Sequence, residues 1–240
     1  MSPGGAAHFA WAKDLQTAEL RKGTLYIVST PIGNVEDISI RALRVLKSVS
    51  IIAAENPTVT RTLLRHYHID TPITGFRSRA DDPVRMLIDR LRTGETVALV
   101  CDAGTPLIAD AGARVVQSAR AAGVPMEVVP GPTAGIAALV VAASSAGRFA
   151  VDGFPPRGRA DRGAFFTGLG SEIRTIVLYE TRRYLRDTLA RLHDSMGPDR
   201  SILVAQDLTK PSEFLFYGTL AQAHGAFQSP PAGEFTLVIS

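Results

Sequence analysis

Apolar runs of strand length alternate with helical patterns throughout the first half of the chain. The runs are TLYIVST (24–30), SIIAAE (50–55), PITGF (72–76), TVALV (96–100) and MEVVPG (126–131). Between them, apolar residues recur at helical spacing over 38–49, 58–68, 82–94 and 109–123. Parallel strands connected through helices of this length are joined by right-handed crossovers. The alternation therefore predicts an α/β fold with a parallel sheet in the first half.

The second half predicts a different kind of sheet. Strands are expected at 148–154, 175–180, 201–208, 214–220 and 234–240, with helices from PGPTAG to about residue 143 and over 182–196. The segment PPRGRADRG is expected to be a loop. The short turn KPSE favours antiparallel pairing of the strands beside it, so this sheet should be mixed. We expect an N-terminal arm (1–22, helical over 9–20), a parallel-sheet domain (23–130) and a mixed-sheet domain (131–240).

The composition is that of an ordinary soluble globular protein, with 45% apolar and 20% charged residues. No apolar run approaches the roughly 20 residues that a membrane-spanning helix needs, so we expect no membrane association. Cys101 is the single cysteine, which excludes a disulfide framework and favours the reducing cytoplasm. His66 and His68 have no third ligand nearby in the sequence, so we expect no metal site.

Three loops rich in Pro, Gly and Thr follow predicted strands. They are STPIGN (29–34), CDAGTPLIADAG (101–112) and VPGPTAG (129–135). Open α/β sheets bind ligands at the carboxyl ends of their strands, and glycine lets a ligand approach the backbone closely. The sequence has no GxGxxG after the first strand and no GxxxxGK[ST], which disfavours dinucleotide and P-loop sites. The loops together predict one ligand-binding cleft.

These loops, with GFPP (153–156), LYE (178–180), LTKPSE (208–213) and a closing GEFTLVI, carry a resemblance to a known family. Over about residues 23 to 240 the chain resembles the ribosomal RNA small subunit methyltransferase I family of the tetrapyrrole-methylase superfamily, as a divergent member. The resemblance implies two α/β domains, S-adenosylmethionine in the cleft between them, and a homodimer. It also implies methylation of a cytidine ribose 2′-hydroxyl of small-subunit ribosomal RNA.

The resemblance also implies which residues bind the cofactor, through backbone groups and apolar side chains. They are Pro31, Gly104, Thr105, Leu107, Ile108, Thr133, Ala134, Tyr179 and Leu203. Asp102 is interpreted as a turn-stabilising carboxylate rather than a catalytic one.

The segments that carry catalysis in this family match poorly. AENPT keeps Glu55 where the family has Ala-Glu-Asp-Thr-Arg, and Arg77 begins a segment that replaces a His-Glu-His-Asn type motif. Arg183 and Tyr184 occupy the places of a His-Arg pair. The resemblance therefore carries over few of the family's catalytic residues.

Methylation of a ribose hydroxyl requires a group that takes its proton or stabilises the alkoxide. The remaining candidate catalytic residues are Glu55, Glu180 and Lys210, with Glu213 beside Lys210. For Glu55 and Glu180 the alternative is a structural ion pair, and Lys210 with Glu213 equally fits a solvated turn pair. The candidate phosphate contacts are Arg77, Arg79, Arg157 and Arg159.

Two other functions stay open. A methyltransferase for a tetrapyrrole or another small molecule is one, although that class usually has a Gly-rich first loop and Gly-Gly-Asp-Pro in the second. The other is a protein that binds the cofactor but has lost catalysis, which the changed catalytic segments favour.

Overall fold

Two five-stranded sheets organise the computed structural model, which describes residues 19–77, 82–143 and 147–240. The first contains β1 (Leu25–Val28), β2 (Ile51–Ala54), β3 (Ile73–Gly75), β4 (Val97–Val100) and β5 (Met126–Val129). Its strand order is β3-β2-β4-β1-β5, and every pair is parallel. The parallel sheet predicted for the first half is confirmed.

Helices connect these strands and cover both faces of the sheet. They are α1 (Ile40–Ser48), α2 (Pro57–His66), α3 (Pro83–Arg92) and α4 (Ala113–Ala121), with a 3-10 turn at Val35–Asp37. Ser39, Asn56 and Asp82 cap the first three helices, each accepting a backbone N–H with its side chain. Alternate strand residues belong to separate apolar clusters, Tyr26 and Val28 to one and Leu25 to the other. Burial on both faces explains why the three central strands, β1, β2 and β4, are apolar without interruption.

The second sheet is mixed, as predicted. It contains β6 (Phe149–Gly153), β7 (Thr175–Thr181), β8 (Ser201–Gln206), β9 (Phe214–Thr219) and β10 (Glu234–Ile239), in the order β6-β7-β10-β8-β9. Only the β6–β7 pair is parallel. The strands on either side of KPSE, β8 and β9, pair antiparallel.

Helices of the second half lie partly where the sequence predicts them. α7 (Arg182–Met196) has the predicted bounds, and α5 (Ala134–Val141) follows the third loop. The prediction of a loop over PPRGRADRG is wrong in its second part, because α6 (Arg159–Leu169) begins there. α8 (Leu220–Ala226) was not predicted. The buried polar side chain of Arg162 interrupts the apolar pattern of α6, so its inward face resembles a solvated one.

The helix predicted over 109–123 starts later than expected, at Ala113. Ala109 and Gly112 have φ angles of +59° and +114°, which an α-helix cannot accommodate. The helix predicted for the N-terminal arm lies almost entirely outside the described residues. At the end of that arm, Leu20 packs against the first sheet's core and the Arg21 N–H donates to the Tyr26 hydroxyl at 2.8 Å.

The two sheets are joined through the loops at the end of β1 and β5. α5 packs against β7 and β10, and Ile32 of the first loop joins an apolar cluster with Val177 and Leu203. Gly33 lies so close to the LTKPSE segment that an added Cβ would stand 2.6 Å from the Leu208 carbonyl oxygen. The division of the chain at residues 130 and 131 stays a prediction. Within the described residues, no helix combines the length and apolar character needed to cross a membrane.

Candidate functional site

The first two predicted loops pair through their backbones. The Thr30 N–H donates to the Gly104 carbonyl at 2.8 Å, and the Gly104 N–H donates to the Thr30 carbonyl at 3.1 Å. These bonds form an isolated antiparallel bridge beyond the ends of β1 and β4. The pairing fixes the first loop against the second at the carboxyl edge of the sheet.

The Thr105 hydroxyl ties all three loops together. Its Oγ1 lies 2.9 Å from Ser29 Oγ in the first loop and 3.0 Å from Thr133 Oγ1 in the third. It also donates to the Pro132 carbonyl at 3.0 Å. One side chain therefore holds the edge of the cleft in a single arrangement.

The second loop concentrates backbone strain. Gly104, Leu107, Ala109 and Gly112 have φ angles of +78°, +74°, +59° and +114°. A left-handed conformation costs a non-glycine residue about 1–2 kcal/mol, and such strain gathers at functional sites. An added Cβ on Gly104 would also meet Ile32 Cγ2 at 3.3 Å. The glycine and the strained residues bring the backbone of this loop to the wall of a cleft.

The opposite wall of the cleft comes from the second sheet. Phe154 at the end of β6, Tyr179 at the end of β7 and Phe235 in β10 line it. The Tyr179 hydroxyl accepts the Gly135 N–H at 3.1 Å, and an added Cβ on Gly135 would stand 2.8 Å from that oxygen. The third loop therefore contacts the second sheet closely, and the cleft lies between the two sheets.

Most of the predicted cofactor residues line this cleft. They are Gly104, Thr105, Ile108, Thr133, Ala134 and Tyr179. Pro31 instead lines a neighbouring cavity that shares Ile32 and Asp102 with the cleft. Leu107 packs against the core of the first sheet, and Leu203 is buried beside Tyr179. The structure thus brings six of the nine predicted residues to one surface and places the other three behind or beside it.

Glu180 is buried in a network of charged and polar groups. Its side chain is inaccessible to solvent, and its Oε1 accepts from Arg157 Nη1 and from the Thr181 N–H, both at 2.8 Å. Its Oε2 accepts from Thr188 Oγ1 at 2.7 Å and from Arg162 Nη2 at 3.4 Å. With four hydrogen bonds accepted from three side chains and one backbone N–H, this carboxylate holds the structure of the cleft wall.

Arg162 completes that network and was not found from the sequence. It is 4% exposed, donates to Asp187 Oδ2 at 2.8 Å, and donates to Thr188 Oγ1 at 2.6 Å. A buried arginine is stable only where its donors are paired. Its place in the Arg-rich segment 157–162 gave no signal that distinguishes it from the exposed arginines around it.

Glu55 lies at the end of β2 and keeps one free carboxylate oxygen. Its Oε1 pairs with Arg77 Nη1 at 2.8 Å, while its Oε2 is buried without a hydrogen-bond partner within the described residues. Burial raises the pKa of Glu55, the Arg77 guanidinium lowers it, and Asp110 and Asp102 raise it, with a net upward shift. The raised pKa makes this carboxylate a better proton acceptor near neutral pH.

Two further carboxylates lie beside Glu55, on the second loop. Asp102 Oδ1 accepts the Asn56 N–H at 3.1 Å, which ties the second loop to the segment after β2, so the turn-stabilising role stays a prediction. Asp110 lines the cleft and is an exposed residue. Partial burial of its carboxylate nevertheless raises its pKa, although the interaction with the Cys101 thiol lowers it. Sequence reasoning missed Asp110 because it was placed in a predicted helix. Its position inside a strand-end loop was the available signal.

Lys210 is bound within the second half of the chain. Its Nζ donates to Glu234 Oε2 at 2.6 Å and to Asp207 Oδ1 at 3.3 Å. Burial opposes the charge, but the hydrogen bond to Glu234 and the nearby carboxylates leave the pKa of Lys210 raised. Glu213, the expected partner, instead accepts the Thr209 N–H at 2.7 Å. Lys210 and Glu234 line the neighbouring cavity together with Pro31 and Gly33 of the first loop, and Glu234 also lines the cleft.

The predicted phosphate-binding arginines differ in their surroundings. The side chain of Arg77 is 66% exposed and that of Arg157 is 38% exposed, although each pairs with a glutamate. Arg159 is exposed at the start of α6, and Arg79 lies outside the described residues. No group of three or more His, Cys, Asp and Glu side chains that could hold a metal ion occurs in the described part of the chain.

Comparison with known proteins places this chain in a family. The family of Tetrapyrrole (Corrin/Porphyrin) Methylases matches residues 24–224. The Ribosomal RNA small subunit methyltransferase I of Xylella fastidiosa is 41% identical over 221 residues, which are 90% of this chain and 81% of that protein. The protein of the same name from Thermotoga maritima is 37% identical over 220 residues, which are 91% of this chain and 98% of that protein.

A solved structure shares the fold. The uroporphyrin-III C-methyltransferase of Thermus thermophilus, complexed with S-adenosylhomocysteine, superposes with a TM-score of 0.64 at 18% identity, covering 90% of this chain and 96% of that one. At this identity the likeness extends to the fold alone. The match over residues 24–224 and the identity of about 40% to curated relatives decide the affiliation. The chain belongs to the tetrapyrrole methylase family and, within it, to the ribosomal RNA small subunit methyltransferase I group.

Proposed function

We propose that this protein is an S-adenosylmethionine-dependent methyltransferase that methylates a cytidine ribose 2′-hydroxyl of small-subunit ribosomal RNA. The observation that carries the proposal is the joining of three strand-end loops at the Thr105 hydroxyl, which forms one cleft in a chain of this family. The relatives that this chain matches over most of their length carry the name of a ribosomal RNA methyltransferase. These names support the RNA substrate, and the cytidine ribose is our more specific inference.

The residues of the cleft fit S-adenosylmethionine in their chemistry. Gly104 and Thr105 bring backbone groups to one wall, and Ile108, Phe154 and Tyr179 offer apolar surface. Backbone groups suit the ribose and the amino-acid part of the cofactor, while apolar side chains suit an adenine ring. When bound there, the cofactor supplies the methyl group on its sulfonium. The second loop supplies Asp102 to Thr105 and Ile108 to Asp110 of the cleft lining, so its backbone conformation shapes the site.

Glu55 is our candidate for the group that takes the hydroxyl proton. Its Oε2 is buried and has no hydrogen-bond partner among the described residues, and its pKa is raised from that of an ordinary glutamate toward neutral pH. Arg77 holds the other oxygen and keeps the side chain in one orientation. Asp110, on the cleft wall nearby, makes the ionised form of Glu55 more basic through like-charge repulsion.

Unlike Glu55, Glu180 and Lys210 have structural roles in this proposal. Both are held by hydrogen-bonded ion pairs, Glu180 with Arg157 and Lys210 with Glu234. A carboxylate that already accepts four hydrogen bonds is a poor proton acceptor. We assign both residues to the positioning of the cleft wall.

The second candidate function is a protein that binds the cofactor without transferring the methyl group. The engagement of Glu180 and Lys210 in ion pairs favours it, because two of three expected catalytic groups are then unavailable for proton transfer. A tetrapyrrole substrate is disfavoured, because this chain has TPIGN and AGTP where that class usually has a Gly-rich loop and Gly-Gly-Asp-Pro. We further propose a cytoplasmic homodimer, with the exposed Ile136 and Val140 of α5 as part of the contact.

Calorimetry of Gly104→Val tests the cofactor site. The substitution places a branched side chain at a φ of +78° beside Ile32, in the wall of the cleft. Gly123→Val is the matched control, since Gly123 has a φ of +68° but no atom within 4 Å of an added Cβ. We expect S-adenosylmethionine binding to be lost in the first variant and kept in the second. Equal affinity in both folded variants would refute the cofactor site.

A further inference from the structure

Four side chains form a continuous row that leads out of the cleft. The Arg157 Cζ lies 5.7 Å from the ring centroid of Phe154 and 4.2 Å from that of Tyr184. The Arg183 Cζ lies 5.2 Å from the same Tyr184 ring centroid. We call Phe154, Arg157, Tyr184 and Arg183 the stacking row. Rings and guanidinium groups alternate along it, starting at the cleft wall.

The inner end of the stacking row is set by an irregularity in β6. The pairing of β6 with β7 shifts register between Val151 and Gly153, as at a β-bulge. Gly153 has a φ of +69° and approaches Ala109 of the second loop, where an added Cβ would stand 3.0 Å away. Bulges redirect the side chain that follows. Phe154 therefore lines the cleft while 46% of its surface stays exposed.

The middle of the row is held rigid from beneath. Arg157 Nη1 donates to the buried Glu180, which is fixed in turn by Thr188 and Arg162. This anchoring holds the Arg157 guanidinium over the Tyr184 ring before any partner binds. A side chain that is already ordered loses little entropy on binding, so the row is suited to recognition.

The outer end of the row carries uncompensated positive charge. The nearby carboxylates of Glu180 and Asp187 are already paired with Arg157, Arg162 and Arg191. Arg183 is exposed and forms no ion pair with any described residue. A guanidinium in this situation is available to a phosphate.

We infer that the stacking row binds unpaired nucleotides of the RNA that flank the target nucleotide. Single-stranded RNA is recognised by stacking of its bases on aromatic rings and guanidinium planes, with cations along the backbone. The row offers both, in alternation, and begins beside the cleft. This inference rests on the proposed RNA substrate. It also gives Arg183 and Tyr184 a function in the segment where the chain departs from the family's His-Arg pair.

The test measures binding of a short, fluorescein-labelled, cytidine-rich single-stranded RNA to the full chain by anisotropy, without cofactor. Tyr184→Leu should weaken binding about tenfold, because one stacking surface is lost, whereas Tyr184→Phe keeps the ring and should bind like the parent. Arg183→Ala, at an exposed position that tests the row independently of folding, should reduce the salt slope by about 0.7. Arg120→Ala removes one exposed arginine from α4 and should leave the affinity unchanged.

The inference is overturned if Tyr184→Leu and Arg183→Ala both bind this RNA as tightly as the parent, or if the parent does not bind it. Methyl transfer to small ribosomal subunits is measured separately on the same proteins. Unchanged RNA binding in the row variants, together with active transfer by the parent, would reject the row and keep the proposed function. Lost RNA binding in the variants, with no transfer by the parent, would keep the row and reject the proposed function.

Discussion

Thr105 and Ser29 are 76 positions apart in the chain, yet their hydroxyl oxygens lie 2.9 Å apart. The contact arises because β1 and β4 are adjacent parallel strands, so the loops that follow them leave the sheet at the same edge. A third loop joins them through Thr133. The cleft is thus a consequence of strand order, made rigid by a few hydroxyl groups.

Replacement of Thr105 by Val should loosen this junction. The isosteric change removes the hydroxyl and leaves the Pro132 carbonyl and the hydroxyls of Ser29 and Thr133 without their shared partner. A buried polar group without a partner costs about 1–3 kcal/mol, so we expect a loss of this size in the free energy of unfolding and weaker cofactor binding. Urea denaturation and calorimetry measure the two effects. Thr167→Val, which removes an exposed hydroxyl of α6, is the control; equal effects of the two variants would contradict the role of Thr105.

Disruption of the buried network at Glu180 should act mainly by lowering the stability of the protein. Glu180→Gln leaves the Arg162 and Arg157 guanidinium groups without their carboxylate, and breaking a buried pair costs about 3–5 kcal/mol. We expect a large fall in the urea midpoint. Glu172→Gln removes the surface pair with Arg174 and should have a much smaller effect. Similar midpoints for both variants would show that the network contributes little.

The Thr105 junction and the Glu180 network differ in how well the sequence predicts them. The parallel sheet, the mixed sheet and the meeting of the three loops follow from periodicity and from the rule that parallel strands end at one edge. The environment of Arg162 does not, because Glu180, Asp187 and Thr188 reach it only through the packing of α6 and α7 on β7. A charged residue in an exposed-looking segment predicts a solvated surface until its partners are known.

Only the three-dimensional structure distinguishes the two glutamates that are candidate catalytic residues. Glu55 and Glu180 have the same signature in the sequence, since each lies at or near the end of a strand. Glu180 accepts four hydrogen bonds, whereas one carboxylate oxygen of Glu55 has no partner in the part of the chain that the structure describes. Hydrogen-bond partners distant in the chain made this distinction, and no local pattern encodes them.

Glu55→Gln should impair methyl transfer without preventing binding. The amide cannot accept the hydroxyl proton, and removal of a general base typically lowers the rate about 10²–10⁴-fold. Cofactor affinity should stay near that of the parent, because Glu55 lies behind Asp102 and Asp110 of the cleft lining and not in the lining itself. Single-turnover assays at saturating cofactor separate the rate of transfer from binding. A normal single-turnover rate in this variant would remove Glu55 from the mechanism.

The pH dependence of transfer should move with the charges around Glu55. The carboxylate must be ionised to act, so activity falls as the pH drops through its raised pKa. Arg77→Gln removes a cation that lowers this pKa, so the acid limb should shift to higher pH. Asp110→Asn removes a carboxylate that raises it, so the limb should shift to lower pH. Arg77→Lys keeps the charge and serves as the control; identical acid limbs in all four proteins would assign the titration to another group.

The most direct measurement of the central claim is methyl transfer to small ribosomal subunits from cells that lack this activity. Purified protein and S-adenosylmethionine with a labelled methyl group are incubated with those subunits, and the labelled RNA is digested with alkali. A 2′-O-methyl group blocks cleavage of the adjacent phosphodiester, so the account predicts label in an alkali-resistant dinucleotide whose methylated residue is cytidine. Label in an alkali-released mononucleotide, as methylation of a base would give, or a protein that binds the cofactor and transfers nothing to the subunits, would contradict it.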